Sequence, residues 1–210
     1  MKKTEIDKEH TMRVAVGGMI ASGKSTLVRK LGAALDVPYM DEFAKEDPVF
    51  NTLLKWLYEG MDDVEMLLQI YFLHKHWKTQ KTYDDNVIID RHMIEHWLFA
   101  QKNIQDKTIK NFYNGVFSAY MNDVKKIDLY LILDIRWETF EDRLKKRGRQ
   151  QEIDNFDANI PYFKTLLKDY VKLLEAQCLI HDVPYEIIDA NADDETVLNV
   201  ALNHIKALDK

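Results

Sequence analysis

The stretch GGMIASGKST at residues 17–26 constrains this chain more than any other feature. It follows RVAVG, an apolar run typical of a buried strand, and precedes STLVRKLGAAL, which has helical periodicity. In that context it is a P-loop, whose glycines let backbone amides face inward around an anion. Lys24 is expected to reach the β- and γ-phosphates, and Ser25 to ligate Mg²⁺. The ATP-binding residues predicted here are Gly18, Met19, Ile20, Ala21, Ser22, Gly23, Lys24, Ser25 and Thr26.

Short apolar runs alternate with helical patterns along the rest of the chain. This alternation predicts an α/β fold with three layers, α/β/α, around a parallel sheet. The expected strands are 13–17, 36–42, 86–90, 127–135 and 184–190. The expected helices are 25–35, 48–60, 62–81, 93–103, 106–124, 137–147, 160–181 and 193–208.

Composition narrows the class of protein. The 210 residues suit one domain, which we place at 13–210 after a flexible leader at 1–12. The net charge of −6 argues against a nucleic-acid partner. No apolar run reaches the roughly 18 residues of a membrane span, so we expect no membrane partner. The single cysteine, Cys178, suits a reducing cytoplasm and a place in the core.

Charged residues follow two predicted strands, where a parallel sheet gathers its ligand-binding groups. Asp41 and Glu42 end the second strand, and Glu42 could accept a proton from an attacking alcohol. Asp90 and Arg91 end the third strand, where the carboxylate could hold Mg²⁺ and the guanidinium an acceptor oxygen.

A cluster of arginines supplies local positive charge. Arg143 and Arg147 lie four residues apart on one predicted helix face, and Arg149 follows a glycine. Such a segment, at about 143–158, could close over phosphates as a lid and stabilise transition-state charge. Together with the P-loop, the candidate base Glu42, the acid Asp90 and these arginines indicate a small phosphotransferase.

The chain resembles the deoxyribonucleoside kinases of the deoxyadenosine, deoxyguanosine and deoxycytidine kinase group. The matching motifs are GGMIASGKST, DEFAKEDPVF, Tyr58 eleven residues before Gln69, DRH at 90–92, and Arg143-x-x-x-Arg147-Gly148-Arg149-x-x-Glu152. The resemblance implies a P-loop kinase fold with a five-stranded parallel sheet, an Arg-rich lid and a dimer, either a homodimer or a heterodimer with a related subunit. It implies ATP and Mg²⁺ as cofactors and a deoxynucleoside as substrate. By the same resemblance Glu42 is the general base, Arg91 lies near the 5′-oxygen, Tyr58 and Glu152 bind the 3′-hydroxyl, Gln69 pairs with the base, and Arg143, Arg147 and Arg149 bind phosphates.

Three histidines depart from the family pattern. His76 and His96 stand where relatives tend to have Arg and Asp at the base edge, and His92 replaces the motif serine. We expect His76 and His96 to bind substrate, although packing within helices is the other interpretation. The preferred base stays open.

Two other functions remain as alternatives. A nucleoside monophosphate kinase of the thymidylate kinase kind shares the P-loop, the Asp-Arg strand end and an arginine lid. A non-catalytic nucleotide-binding partner subunit would retain the fold without turnover.

Overall fold

A computed structural model describes residues 11–41, 47–59, 61, 64–83, 85–147 and 156–208. Five parallel strands form one sheet in the order β2-β3-β1-β4-β5. The strands are β1 (Arg13–Gly18), β2 (Tyr39–Met40), β3 (Val87–Asp90), β4 (Leu129–Asp134) and β5 (Tyr185–Asp189). The described helices are α1 (Lys24–Leu35), α2 (Pro48–Tyr58), α3 (Val64–Gln80), α4 (Met93–Asn103), α5 (Lys107–Asp123), α6 (Trp137–Arg147), α7 (Phe156–Ile180) and α8 (Asp194–Lys206). The predicted α/β fold with a five-stranded parallel sheet is confirmed.

The three inner strands form the centre of the core. Every residue of β1 and β3 is buried, as is β4 up to Leu133. Continuous apolar strands of this kind need helices on both faces of the sheet, which explains the alternating order of elements. In register, Val14 of β1 pairs with Ile88 on one side and Leu129 on the other. The carboxyl ends of β1 and β3 therefore lie side by side, next to the P-loop.

Two elements differ from the predicted bounds. β2 has only two residues, Tyr39 and Met40, and is an edge strand paired with β3 alone. Helix α7 begins at Phe156, one turn before the predicted start at 160, and contains Pro161. Phe156 is buried and its ring lies 6.2 Å from those of Trp137 and Phe163, so aromatic packing extends the helix.

Cys178 is in the core as predicted, as a free thiol whose pKa burial raises to about 12. Among the described helices, none combines the length and apolarity that a membrane crossing needs. Residues 1–10 of the predicted leader and 148–155 of the predicted lid lie outside the described residues.

Candidate active site

The P-loop connects β1 to α1 in the geometry of an anion nest. Ala21 and Gly23 have positive φ angles of 61° and 99°, and the amide of Ser22 donates to the Met19 carbonyl at 3.1 Å. The Lys24 ammonium donates to the same carbonyl at 3.0 Å, so the lysine folds back over the loop. Helix α1 starts at Lys24, so the partial positive charge of the helix N-terminus lies beside the loop. The arrangement fits a phosphate chain.

Gly18 is a position that no larger residue could occupy. Its φ is 150°, and an added Cβ would lie 2.6 Å from Ser22 Oγ and 2.9 Å from Leu133 Cβ. Met19 is the loop residue whose side chain enters the core, since it is 1% exposed. Its contribution to the site is therefore made by the backbone.

Ser25 and Asp90 meet where α1 starts and β3 ends. The Ser25 hydroxyl donates to Asp90 Oδ2 at 2.5 Å, and Asp90 is 1% exposed. A hydroxyl and a carboxylate at this distance form an oxygen pair of the type that Mg²⁺ uses beside nucleotide phosphates. The two predicted metal ligands are thus in contact, although they are 65 residues apart in the sequence.

A small open cleft lies beside the P-loop, between α1 and α8. Ser22, Thr26, Leu133 and Val197 contribute to its walls, together with Arg143 from α6. Arg143 donates through Nη1 to the Ser22 carbonyl at 3.0 Å and through Nη2 to the Ala192 carbonyl at 3.4 Å. One predicted phosphate-binding arginine is therefore already at the P-loop.

Arg91 is held by an acidic and aromatic cluster that the sequence interpretation missed. Its backbone has a φ of 77°, and its amide donates to the Val16 carbonyl at 2.9 Å. Its guanidinium forms a buried ion pair with Glu95, lies 3.3 Å from the Tyr170 hydroxyl, and packs over the Phe99 ring at 5.1 Å. The spacing of Arg91 and Glu95, one helical turn, was the only sequence signal for this cluster.

The Glu95 carboxylate is fully buried at the start of α4. Its Oε1 accepts from the Tyr130 hydroxyl at 2.6 Å, whereas its Oε2 accepts from Arg91 and Tyr170. The Tyr170 hydroxyl also lies 3.0 Å from the Gly18 carbonyl, so its single proton has two acceptors. Burial, followed by the charge of Glu95, raises the pKa of both tyrosines well above its ordinary value, so both remain protonated donors.

The predicted acceptor half centres on α3 and α4. His76 Nδ1 and His96 Nε2 are 2.7 Å apart, so one imidazole donates to the other, and both rings are buried. Burial, and then the nearby Arg91 charge, lowers the pKa of His96 to about 3, which makes it neutral. Gln69, seven residues before His76 on α3, is 2% exposed, and its Oε1 has no hydrogen-bond partner among the described residues.

Two lysines near this half, on α2 and α3, are paired with local carboxylates. Lys55 Nζ lies 3.6 Å from Glu59, and Lys75 Nζ lies 3.1 Å from Asp47. The Asp47 carboxylate also accepts from the Tyr71 hydroxyl, which is the main reason that its pKa falls to about 2.

His92 contributes to structure at the start of α4. Its Nδ1 accepts from the Ile94 amide at 3.3 Å, so it caps the helix as the motif serine would. Burial lowers the pKa of His92 to about 3, with a smaller contribution from His181. Among the other predicted site residues, Arg147 is exposed at the end of α6. Glu42, Arg149, Glu152 and the side chain of Tyr58 lie outside what the structure describes.

Comparison with known proteins places this arrangement in a family. A family model described as deoxynucleoside kinase matches residues 14–208. An uncharacterized Mycoplasma pneumoniae protein, an MG268 homolog, is 34% identical over 92% of this chain and 89% of its own length. A deoxyguanosine kinase of Lactobacillus johnsonii is 27% identical over 94% of both chains. The structure of a deoxyadenosine kinase from M. mycoides with dCMP and dCDP bound is similar, with a TM-score of 0.76, 27% identity, and coverage of 94% of this chain and 100% of that one. The chain belongs to the deoxynucleoside kinase family, and it is a kinase.

Proposed function

We propose that this kinase transfers a phosphoryl group from ATP to the 5′-hydroxyl of deoxyadenosine, deoxyguanosine or deoxycytidine, in nucleotide salvage. The observation that carries the proposal is the buried Gln69 amide, whose Oε1 has no hydrogen-bond partner within the described chain. A buried acceptor without a partner costs roughly 1–3 kcal/mol, which a ligand donor would recover. A base edge supplies such a donor, and a flipped amide would serve a different base equally well.

The P-loop and the cleft form the donor half in this proposal. Residues 18–26 would wrap the ATP phosphates, and Arg143 would lie against them with Arg147 and Arg149. Ser25 and Asp90 would hold Mg²⁺, which neutralises phosphate charge when bound. The direct contact between Ser25 and Asp90 supports this assignment.

The acceptor half takes its remaining roles from the family resemblance. Glu42 would be the general base for the 5′-hydroxyl, and Arg91 would hold the 5′-oxygen that Glu42 activates. Tyr58 and Glu152 would bind the 3′-hydroxyl. Gln69, His76 and His96 would contact the base, and the neutral His96 imidazole would distinguish bases by its hydrogen-bonding pattern rather than by charge.

The pairing of Lys55 and Lys75 with carboxylates favours a neutral acceptor over a nucleoside monophosphate. A second phosphate group would need uncommitted cations at the acceptor. Related proteins named deoxyguanosine kinase and deoxyadenosine kinase support the same substrate class. We further propose that the enzyme acts in the cytoplasm as a homodimer, or as a heterodimer with a related subunit, and without nucleic acid.

The proposal is tested by assaying the protein with ATP, Mg²⁺ and each of the four natural deoxynucleosides. We expect 5′-monophosphate from at least one of deoxyadenosine, deoxyguanosine and deoxycytidine, and folded protein that phosphorylates none of the four would refute it. Gln69→Leu should raise the nucleoside KM about tenfold or more because the base loses its partner. Gln80→Leu is the matched control, since Gln80 is equally buried on α3 and its amide also has no described partner.

A further inference from the structure

Glu95 carries a buried negative charge, and the proposed reaction assigns it no role. Four groups donate to its carboxylate or approach it: Arg91, Tyr130, Tyr170 and the Gly18 amide, the last at a long 3.5 Å. They come from β1, β4 and α7 as well as from the residues just before α4. Burying a carboxylate is costly unless hydrogen-bond donors surround it. The four groups around Glu95 therefore form a defined structure rather than a chance contact.

The Glu95 carboxylate joins the two halves of the site. Towards the donor half, Tyr170 reaches the Gly18 carbonyl, and the Gly18 amide points at Oε2. Towards the acceptor half, the same Oε2 forms the ion pair with Arg91. One oxygen atom therefore fixes both the first glycine of the P-loop and the guanidinium proposed to hold the 5′-oxygen.

We propose that Glu95 is a positioning residue for phosphoryl transfer, which sets the Arg91 guanidinium against the P-loop with Tyr130 and Tyr170 as its supports. The inference rests on the proposed function. Both contacts from Arg91 to Glu95 and Tyr170 use Nη1, and a guanidinium carries five N–H donors on three nitrogens. The contacts with Glu95 and Tyr170 thus both act on the Nη1 end of the guanidinium.

The geometry shows why charge, and not only shape, matters at Glu95. Oε1 faces the Tyr130 hydroxyl, which can accept as well as donate, whereas Oε2 faces three donors. In Glu95→Gln the amide nitrogen can turn towards Tyr130 while the remaining oxygen still faces Arg91. The side chain keeps its shape, but the charge that orients the guanidinium is lost. Small displacements of a group that positions substrate cost roughly 100-fold in rate.

The test is a double-mutant cycle measured as kcat and as the KM for ATP and for the best deoxynucleoside. Glu95→Gln should lower kcat by roughly 100-fold while both KM values change much less. In an Arg91→Ala background the same substitution should change kcat by less than about twofold, because Glu95 acts through Arg91. If the role of Glu95 were purely structural, Glu95→Gln would lower the melting temperature and would reduce kcat by the same factor with and without Arg91.

Tyr130→Phe provides a second route that keeps the carboxylate. It removes the donor at Oε1, and we expect a smaller loss of kcat that also disappears in the Arg91→Ala background. Tyr113→Phe is the matched control, because Tyr113 is fully buried and its hydroxyl has no hydrogen-bond partner in the described chain. Its kcat should equal that of the wild type.

The inference is overturned if Glu95→Gln retains wild-type kcat, or lowers kcat equally with and without Arg91. Should Glu95→Gln fail to fold, Tyr130→Phe decides by the same two criteria. The wild-type control separates the two proposals. Absence of any wild-type turnover refutes the proposed function and the inference with it, whereas wild-type turnover with an unaffected Glu95→Gln refutes the inference alone.

Discussion

The absence of a side chain at Gly17 leaves room for the hydrogen bond between Tyr130 and Glu95. Gly17→Ala should therefore destabilise the protein strongly. A Cβ at residue 17 would lie 2.0 Å from the Tyr130 hydroxyl oxygen and 2.5 Å from Glu95 Oε1. Both side chains are fully buried, so neither can move without disturbing the core. Overpacking costs about 1–3 kcal/mol, and a weakened hydrogen bond to a charged group adds to it, giving roughly 2–4 kcal/mol in all. For a chain of this size that corresponds to a fall in melting temperature of about 5–15 °C.

The assay is thermal unfolding followed by circular dichroism. Gly115→Ala is the control, since Gly115 lies in α5 with nothing within 4 Å of an added Cβ, and it should be neutral or stabilising by about 0.5–1 kcal/mol. Removing the nearest atom in Gly17→Ala/Tyr130→Phe should recover part of the loss. A Gly17→Ala protein that melts within about 1 °C of wild type would refute the packing argument.

Three further predictions concern the donor site and the response to acid. Arg143→Ala should raise the KM for ATP about tenfold or more, because Arg143 holds the Ser22 carbonyl, whereas Lys146→Ala, on the exposed side of α6, should leave it within about twofold. Asp47 has its pKa lowered to about 2 from an ordinary 3.8, so its contribution is complete above pH 4 and lost towards pH 2; Asp47→Asn should flatten urea stability across that window. His92 has a pKa of about 3 in the folded chain against 6.5 when unfolded, so stability should fall as the pH drops below 6.5, and His92→Asn should reduce that slope by about 1.4 kcal/mol per pH unit. An unchanged KM for ATP would contradict the first prediction. An unchanged pH profile of urea stability would contradict the second, and an unchanged slope of stability against pH would contradict the third.

Much of the fold could be predicted because its signals are local. Apolar runs set β1, β3 and β4, and the P-loop spacing defined the turn between β1 and α1 within a residue. The contact between Ser25 and Asp90 followed from the rule that parallel strand ends converge. Predictions failed in detail where packing decided the outcome, as with the early start of α7 at Phe156.

The buried cluster at Arg91 could not be predicted in the same way. Tyr130 lies in the apolar run of a predicted strand and Tyr170 in a predicted amphipathic helix, so both have the sequence pattern of ordinary core residues. Their hydroxyls meet Glu95 only because β4 and α7 fold back on α4, across 35 and 75 residues of sequence. Gly17 gave no signal either, because its requirement is space for a tyrosine from another strand rather than a turn.

The central claim is that the acceptor is an uncharged deoxynucleoside, and a side-by-side turnover measurement tests it most directly. The protein is assayed with ATP and Mg²⁺ on each deoxynucleoside and on its 5′-monophosphate, and kcat/KM is compared within each pair. The paired lysines and the neutral His96 imidazole predict a preference for a deoxynucleoside of about 100-fold or more, equivalent to at least about 2.7 kcal/mol. A higher kcat/KM for the monophosphate would contradict the account.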